Sequence, residues 1–137
     1  MTSSAAPTDE FTGVVSFRSP YAFDDTVRRL LKALADHGIK VFTTIDQQAE
    51  ALAVGLSMPP TTLILFGNPK GGTPLMLANP LSGIDLPLKA LVIESPKNEV
   101  DVIINSTAYI IGRHSLPAQL AANLAPAERL IASTLGH

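Results

Sequence analysis

The sequence predicts an α+β domain, and three observations carry the prediction. Apolar runs of strand length alternate with stretches of helical period, in the order strand, helix, strand, helix, strand, helix, strand, strand, helix. Helices separate the early strands, which argues for parallel crossovers there, whereas only a short turn separates the last two, which argues for a hairpin. Most of the helices are then expected on one face of a twisted sheet. The 137 residues, 46% hydrophobic and 16% charged, suffice for one globular domain with its own core. Residues 1–9 read as a flexible tail and 10–137 as the single domain.

Each element has its own warrant. Thr12 to Arg18 alternates loosely around Val14, Val15 and Phe17 and reads as the first strand. Phe23, Val27, Leu30, Leu31 and Leu34 fall on one helical face, with Asp24 and Asp25 near the positive end of the dipole. Gly38 stops that helix, and His37 beside it suits the negative end. Lys40 to Ile45 is the second strand. Asp46 then stands where a cap belongs, ahead of a short helix with Ala49, Leu52, Ala53 and Leu56 on its apolar side. Pro59-Pro60 closes it. Leu63 to Phe66, a continuous apolar run, reads as a strand buried on both faces.

A glycine-rich loop follows that strand and is the candidate site. Gly67 permits a turn or a close approach, Pro69 ends strand pairing, and Gly71 and Gly72 open conformations closed to other residues. Thr73 matches a helix cap with Pro74 at the first helical position. A loop that ends on a helix start presents backbone N–H groups and suits an anion; a tight connection without a ligand is the alternative. It is no Walker loop, because Lys70 is not followed directly by Ser or Thr. Leu75, Met76 and Leu77 begin a helix that Asn79-Pro80 ends, and 81–87 is irregular. Leu88 to Ile93 and Val100 to Ile104 form the hairpin. From Ala108 the chain is helical, with interruptions at Pro117 and Pro126.

Composition removes several function classes. The net charge is -2 and no basic run occurs, so nucleic-acid binding is disfavoured. Without cysteine there is no disulfide, thiolate metal site or cysteine nucleophile. No apolar run reaches membrane-spanning length, and the N-terminus lacks a basic segment followed by an apolar one. A cytoplasmic location is expected, or a periplasmic one if a signal has been removed.

Residues 19–116 resemble the domain-of-unknown-function (DUF) 302 family, widespread in bacteria and archaea. The blocks that carry the resemblance are Gly38-Ile39-x-Val41-Phe42, Ile45-Asp46-x-x-Ala49-Glu50-Ala51, Val54-Gly55-Leu56, Leu65-Phe66-Gly67-Asn68-Pro69, Gly72-Thr73-x-Leu75-Met76, Ile84-Asp85-Leu86-Pro87-Leu88-Lys89 and Arg113-His114. The resemblance implies a TATA-binding-protein-like fold, a twisted and mostly antiparallel sheet saddled by helices, and a tendency to form homodimers. It implies no known activity. Two positions depart from the family pattern: Gln47 stands where members often have His, and Ile104 where many have an aromatic residue.

The candidate ligand contacts are therefore Gly67, Asn68, Lys70, Gly71, Gly72 and Thr73 of the loop, with Lys89, Arg113 and His114 as polar partners. His114 is a candidate haem or metal ligand or general base, and its alternative is a hydrogen bond to a backbone carbonyl. Arg113 suits a carboxylate or phosphate, or an internal salt bridge. Secondary candidates are Asp46, as cap or as acid or base, Asp85, and Met76 as a soft axial ligand or core filler. His137, at the chain end, is expected to be disordered. Four functions stay open: a homodimeric small-ligand-binding or sensory module; a b-type haem protein using His114; a small enzyme with Asp46 or His114 as general base; and a dimerisation domain without ligand.

Overall fold

A computed structural model describes residues 13–137. The expected tail at 1–9 lies outside the described residues. The strands are β1 (Val14–Ser19), β2 (Lys40–Asp46), β3 (Thr61–Gly67), β4 (Leu88–Glu94) and β5 (Val100–Asn105). The helices are α1 (Phe23–Asp36), α2 (Gln47–Ala53), α3 (Pro69–Ala78), α4 (Thr107–Arg113) and α5 (Ala121–Thr134), with short 3-10 turns at Pro80–Asp85 and Ala118–Leu120. They form an α+β domain with one five-stranded sheet in the order β1-β5-β4-β3-β2.

Every neighbouring pair is antiparallel, so the parallel crossovers expected early do not occur. A parallel connection must carry the chain back along the whole sheet. Here α2 buries no residue and α3 buries only Leu75, so neither rides over the sheet between its strands. Only α1 makes a long crossing, and it joins strands at opposite edges.

Period-two alternation then places the core. Val15 and Phe17 of β1, Ile64 and Phe66 of β3, Ala90 and Val92 of β4, and Val102 and Ile104 of β5 are buried on one face. Leu30 and Leu34 of α1, Leu75 of α3, Ile110 of α4 and Leu124 and Ile131 of α5 close over them in a single cluster. The opposite face is more open. The register aligns Ile45, Leu63, Leu91 and Ile103 in one row across four strands, all partly exposed. The strand Leu63 to Phe66 is therefore buried on one face rather than both, as befits an antiparallel sheet with helices on a single side. Arg18 and Asp101 pair directly across β1 and β5 on this open face at 2.7 Å, and the hydrogen bond to Asp101 raises the pKa of the guanidinium.

Two histidines brace element ends. His37 caps α1, its ring Nδ1 2.9 Å from the carbonyl of Ala33. His137 is ordered, contrary to the expectation from its terminal position. Its ring Nε2 donates to the carbonyl of Arg18 at 2.7 Å, and its ring packs against Phe17 at a centroid distance of 5.5 Å.

Candidate functional site

The glycine-rich segment is helical rather than a loop. Asn68, not Thr73, is the N-cap: its Oδ1 accepts from the Lys70 N–H at 2.9 Å, and Pro69 takes the first helical position. Asn68-Pro69 and Thr73-Pro74 match the same cap-then-proline pattern, and the helix begins at the earlier one. Gly71 and Gly72 do not interrupt it, because neither adopts positive φ. Pro74 sits inside the helix.

This earlier start changes the chemistry. Pro69 has no N–H to offer. The Lys70 N–H goes to Asn68 Oδ1, and the Gly71 and Gly72 N–H groups both reach the Asn68 carbonyl, at 2.8 and 2.9 Å. The first turn of α3 therefore keeps no free backbone donor for an anion.

A cavity of about 580 Å³ opens beside this turn, between α3, α5 and the sheet end. Gly67, Asn68, Gly71, Gly72, Thr73 and Met76 of the predicted set line it. Ile39 and Phe42 form the wall on the β2 side, and Leu86, Pro87 and Leu88 the wall at the start of β4. From α5 come Asn123, Leu124, Pro126, Ala127 and Leu130, and His37 completes the lining from the end of α1. Among the described residues no Lys, Arg, Asp or Glu lines this cavity.

Gly71 makes the α3–α5 contact close enough to shape the cavity. A Cβ there would stand 2.9 Å from the backbone oxygen of Asn123, and Asn123 Nδ2 donates to the Gly71 carbonyl at 3.1 Å.

The remaining predicted residues lie elsewhere. Lys70 is exposed and outside the cavity. Lys89 alternates with buried Leu88 and Ala90, so its side chain leaves from the opposite face of the sheet, and its Nζ donates to the Pro87 carbonyl at 3.3 Å. Arg113 and His114 converge on Asp85 instead. The His114 Nε2 is 2.5 Å from one carboxylate oxygen, and an Arg113 nitrogen lies 3.1 and 3.2 Å from the two oxygens. The Asn79 amide donates to the His114 carbonyl at 2.9 Å. This cluster ties the end of α4 to the segment that runs into the cavity wall.

His114, the candidate haem ligand, is engaged inside the fold. The residue is 7% exposed, its Nε2 is held by Asp85, and it does not line the cavity. Asp46 caps α2 through the Ala49 N–H at 2.9 Å and lines a separate shallow recess with Gln48 and Leu52. It therefore does not converge with Arg113 and His114, as a shared catalytic site would need. Among the described residues no group of three or more His, Asp or Glu is placed to hold a metal.

The site residues that sequence reasoning missed come mainly from α5 and the β2 side. Nothing in the local pattern of Asn123, Ala127 or Leu130 marks them, since only the packing of α5 on α3 brings them to Gly71. Phe42 is legible in the sequence only as an apolar strand residue; the structure leaves it 45% exposed on an edge strand.

Fold and site together define a small α+β domain that covers one sheet face with helices and holds an apolar cavity at the sheet end. Residues 15–134 match the profile of the family described as "Domain of unknown function DUF302", and the chain belongs to that family. A solved structure described as an uncharacterized conserved protein DUF302 from Bacillus stearothermophilus shares the fold. It superposes with a TM-score of 0.75 at 19% identity, over 90% of this chain and 95% of that one. Curated relatives named "Fluoride-specific ion channel FluC 1", from Brucella suis biovar 1 (strain 1330) and Brucella abortus biovar 1 (strain 9-941), are each 39% identical over 105 residues, or 77% of this chain. The matched region makes up 41% and 39% of those proteins, so the chain spans about two-fifths of their length. Among the described residues no helix is long and apolar enough to cross a membrane.

Proposed function

We propose that the domain is a small-molecule-binding, sensory module whose ligand is largely apolar and uncharged. One observation carries this reading: a cavity of about 580 Å³ with no charged lining residue among the described residues, beside a helix start whose donors are already satisfied. Such a volume suits a small ligand, and apolar walls with a few polar groups are the usual composition of ligand sites. In longer relatives the same module would serve as a ligand-responsive attachment to the rest of the chain.

The test fills the cavity from its wall. Ala127 is buried on α5 and lines the cavity, so Ala127→Phe places a ring in the space a ligand needs. The neutral apolar fluorophore N-phenyl-1-naphthylamine is expected to bind the wild type and to lose at least about tenfold in affinity in this variant, since a filled site excludes the probe's apolar area. The circular dichroism spectrum should be retained. Equal binding by both proteins would place the probe elsewhere and remove the reading.

A homodimer is proposed alongside it. The partly exposed row Ile45, Leu63, Leu91 and Ile103 supports self-association through the open sheet face. Sedimentation equilibrium should report a dimer that Leu91→Arg converts to a monomer; a monomeric wild type at all concentrations would sink this part alone.

A further inference from the structure

We infer that the cavity selects an apolar molecule headed by one neutral hydrogen-bond donor, a hydroxyl or N–H, and that His37 is the residue that reads it. The inference rests on the cavity being the binding site. It comes from the bonds its polar lining residues have already made.

His37 lines the cavity while its Nδ1 sits 2.9 Å from the Ala33 carbonyl. A carbonyl oxygen only accepts, so Nδ1 carries a hydrogen, and the tautomer with that single hydrogen offers its Nε2 lone pair as an acceptor. Asn123 donates its Nδ2 to the Gly71 carbonyl, which leaves Oδ1, a second acceptor. Asn68 has the complementary state: Oδ1 accepts from the Lys70 N–H, which leaves Nδ2 as a donor. The amide orientations follow from their partners, a carbonyl in one case and an N–H in the other.

These leftover atoms are reachable. Among the described residues, Ser82 Oγ alone is a buried side-chain polar atom without a partner. Asn123 Oδ1 therefore retains access to the cavity or to solvent, and Asn68 and His37 are exposed residues. A ligand hydroxyl can donate to a fixed acceptor, and its oxygen can accept from Asn68. A carboxylate cannot donate, meets two acceptors, and finds no cation on the walls.

Three probes with the same chain separate the cases: 1-decanol, decyl methyl ether and decanoate, each displacing N-phenyl-1-naphthylamine. The wild type should bind 1-decanol about tenfold more tightly than the ether, the upper range for one hydrogen bond. Decanoate should fall below the alcohol as well. In His37→Phe the preference for alcohol over ether should drop to about twofold or less, because an apolar ring replaces the acceptor. An ether or decanoate that equals the alcohol in the wild type overturns the inference, and so does a preference that survives His37→Phe. Failure of the cavity reading looks different: the fluorophore fails to bind, or binds equally well to Ala127→Phe.

Discussion

Asp85→Ala is expected to lower the stability of the domain by about 1–3 kcal/mol, the cost of leaving a buried donor without its acceptor. The His114 side chain is 6% exposed and the Asp85 side chain 16%, so the Nε2–H that loses its carboxylate has little water to turn to. Arg113 contributes the smaller share. Its side chain is 48% exposed, and an ion pair in that setting is worth little. Asp85→Asn keeps an acceptor for the imidazole and should cost only about 1 kcal/mol, a neutral bond in place of a charge-assisted one. Urea denaturation of the three proteins measures both differences. Because Leu86 and Pro87 follow Asp85 directly and wall the cavity, fluorophore affinity should fall in Asp85→Ala even below its unfolding midpoint. A loss of less than about 1 kcal/mol would show that the cluster merely decorates the end of α4.

The second large effect is a contrast between two helical glycines. Placing Ala in a helix in place of Gly is worth up to about 1 kcal/mol on propensity alone. At Gly112 in α4 a Cβ meets nothing within 4 Å, so Gly112→Ala should stabilise by roughly that amount. At Gly71 the added carbon stands 2.9 Å from the Asn123 backbone oxygen, which cannot swing away as a side-chain tip would. Overpacking of that kind costs about 1–3 kcal/mol and should outweigh the propensity gain. Gly71→Ala should therefore destabilise by about 1–2 kcal/mol and weaken the bond between Asn123 and the Gly71 carbonyl. Thermal unfolding of the two variants checks the opposite signs. If both are stabilised, α3 and α5 are not in close contact at Gly71.

Local physics made most elements legible and hid the site. The α1 stripe from Phe23 to Leu34, the alternation in β4 and β5 and the stop at Gly38 depend on neighbours in sequence, and they lie where those signals put them, whereas α2 ends at Ala53, before Leu56 and well ahead of Pro59-Pro60. The start of α3 was ambiguous because two Asx/Thr-Pro pairs lie five residues apart, and a pair of glycines reads equally as a loop or as a helix packed tightly on another. The antiparallel order, which the family resemblance implies, was hidden from the local pattern for a different reason. Whether α2 crosses the sheet depends on burial, and its apolar Leu52 ends up 72% exposed. Arg113 and His114 stand out in the sequence, yet their pairing with Asp85 is set by the chain's return after α3. Ala127 and Leu130 become cavity walls only through tertiary packing, which no local period encodes.

The placement of β1 and β2 at opposite edges has a kinetic consequence. β2, β3, β4 and β5 each pair with a strand next in the chain, so this four-stranded meander closes through local connections, a short turn between β4 and β5 and the short helices α2 and α3 between the others. β1 has no such neighbour: Val14 meets Asn105, and Ser19 meets Val100, near the other end of the sequence. On a growing polypeptide, β1 leaves first yet finds its ladder last, and α1 waits with it for α5. Such high contact order slows folding. The meander should become protected from hydrogen exchange early in refolding, with β1 as the late strand that seals the domain.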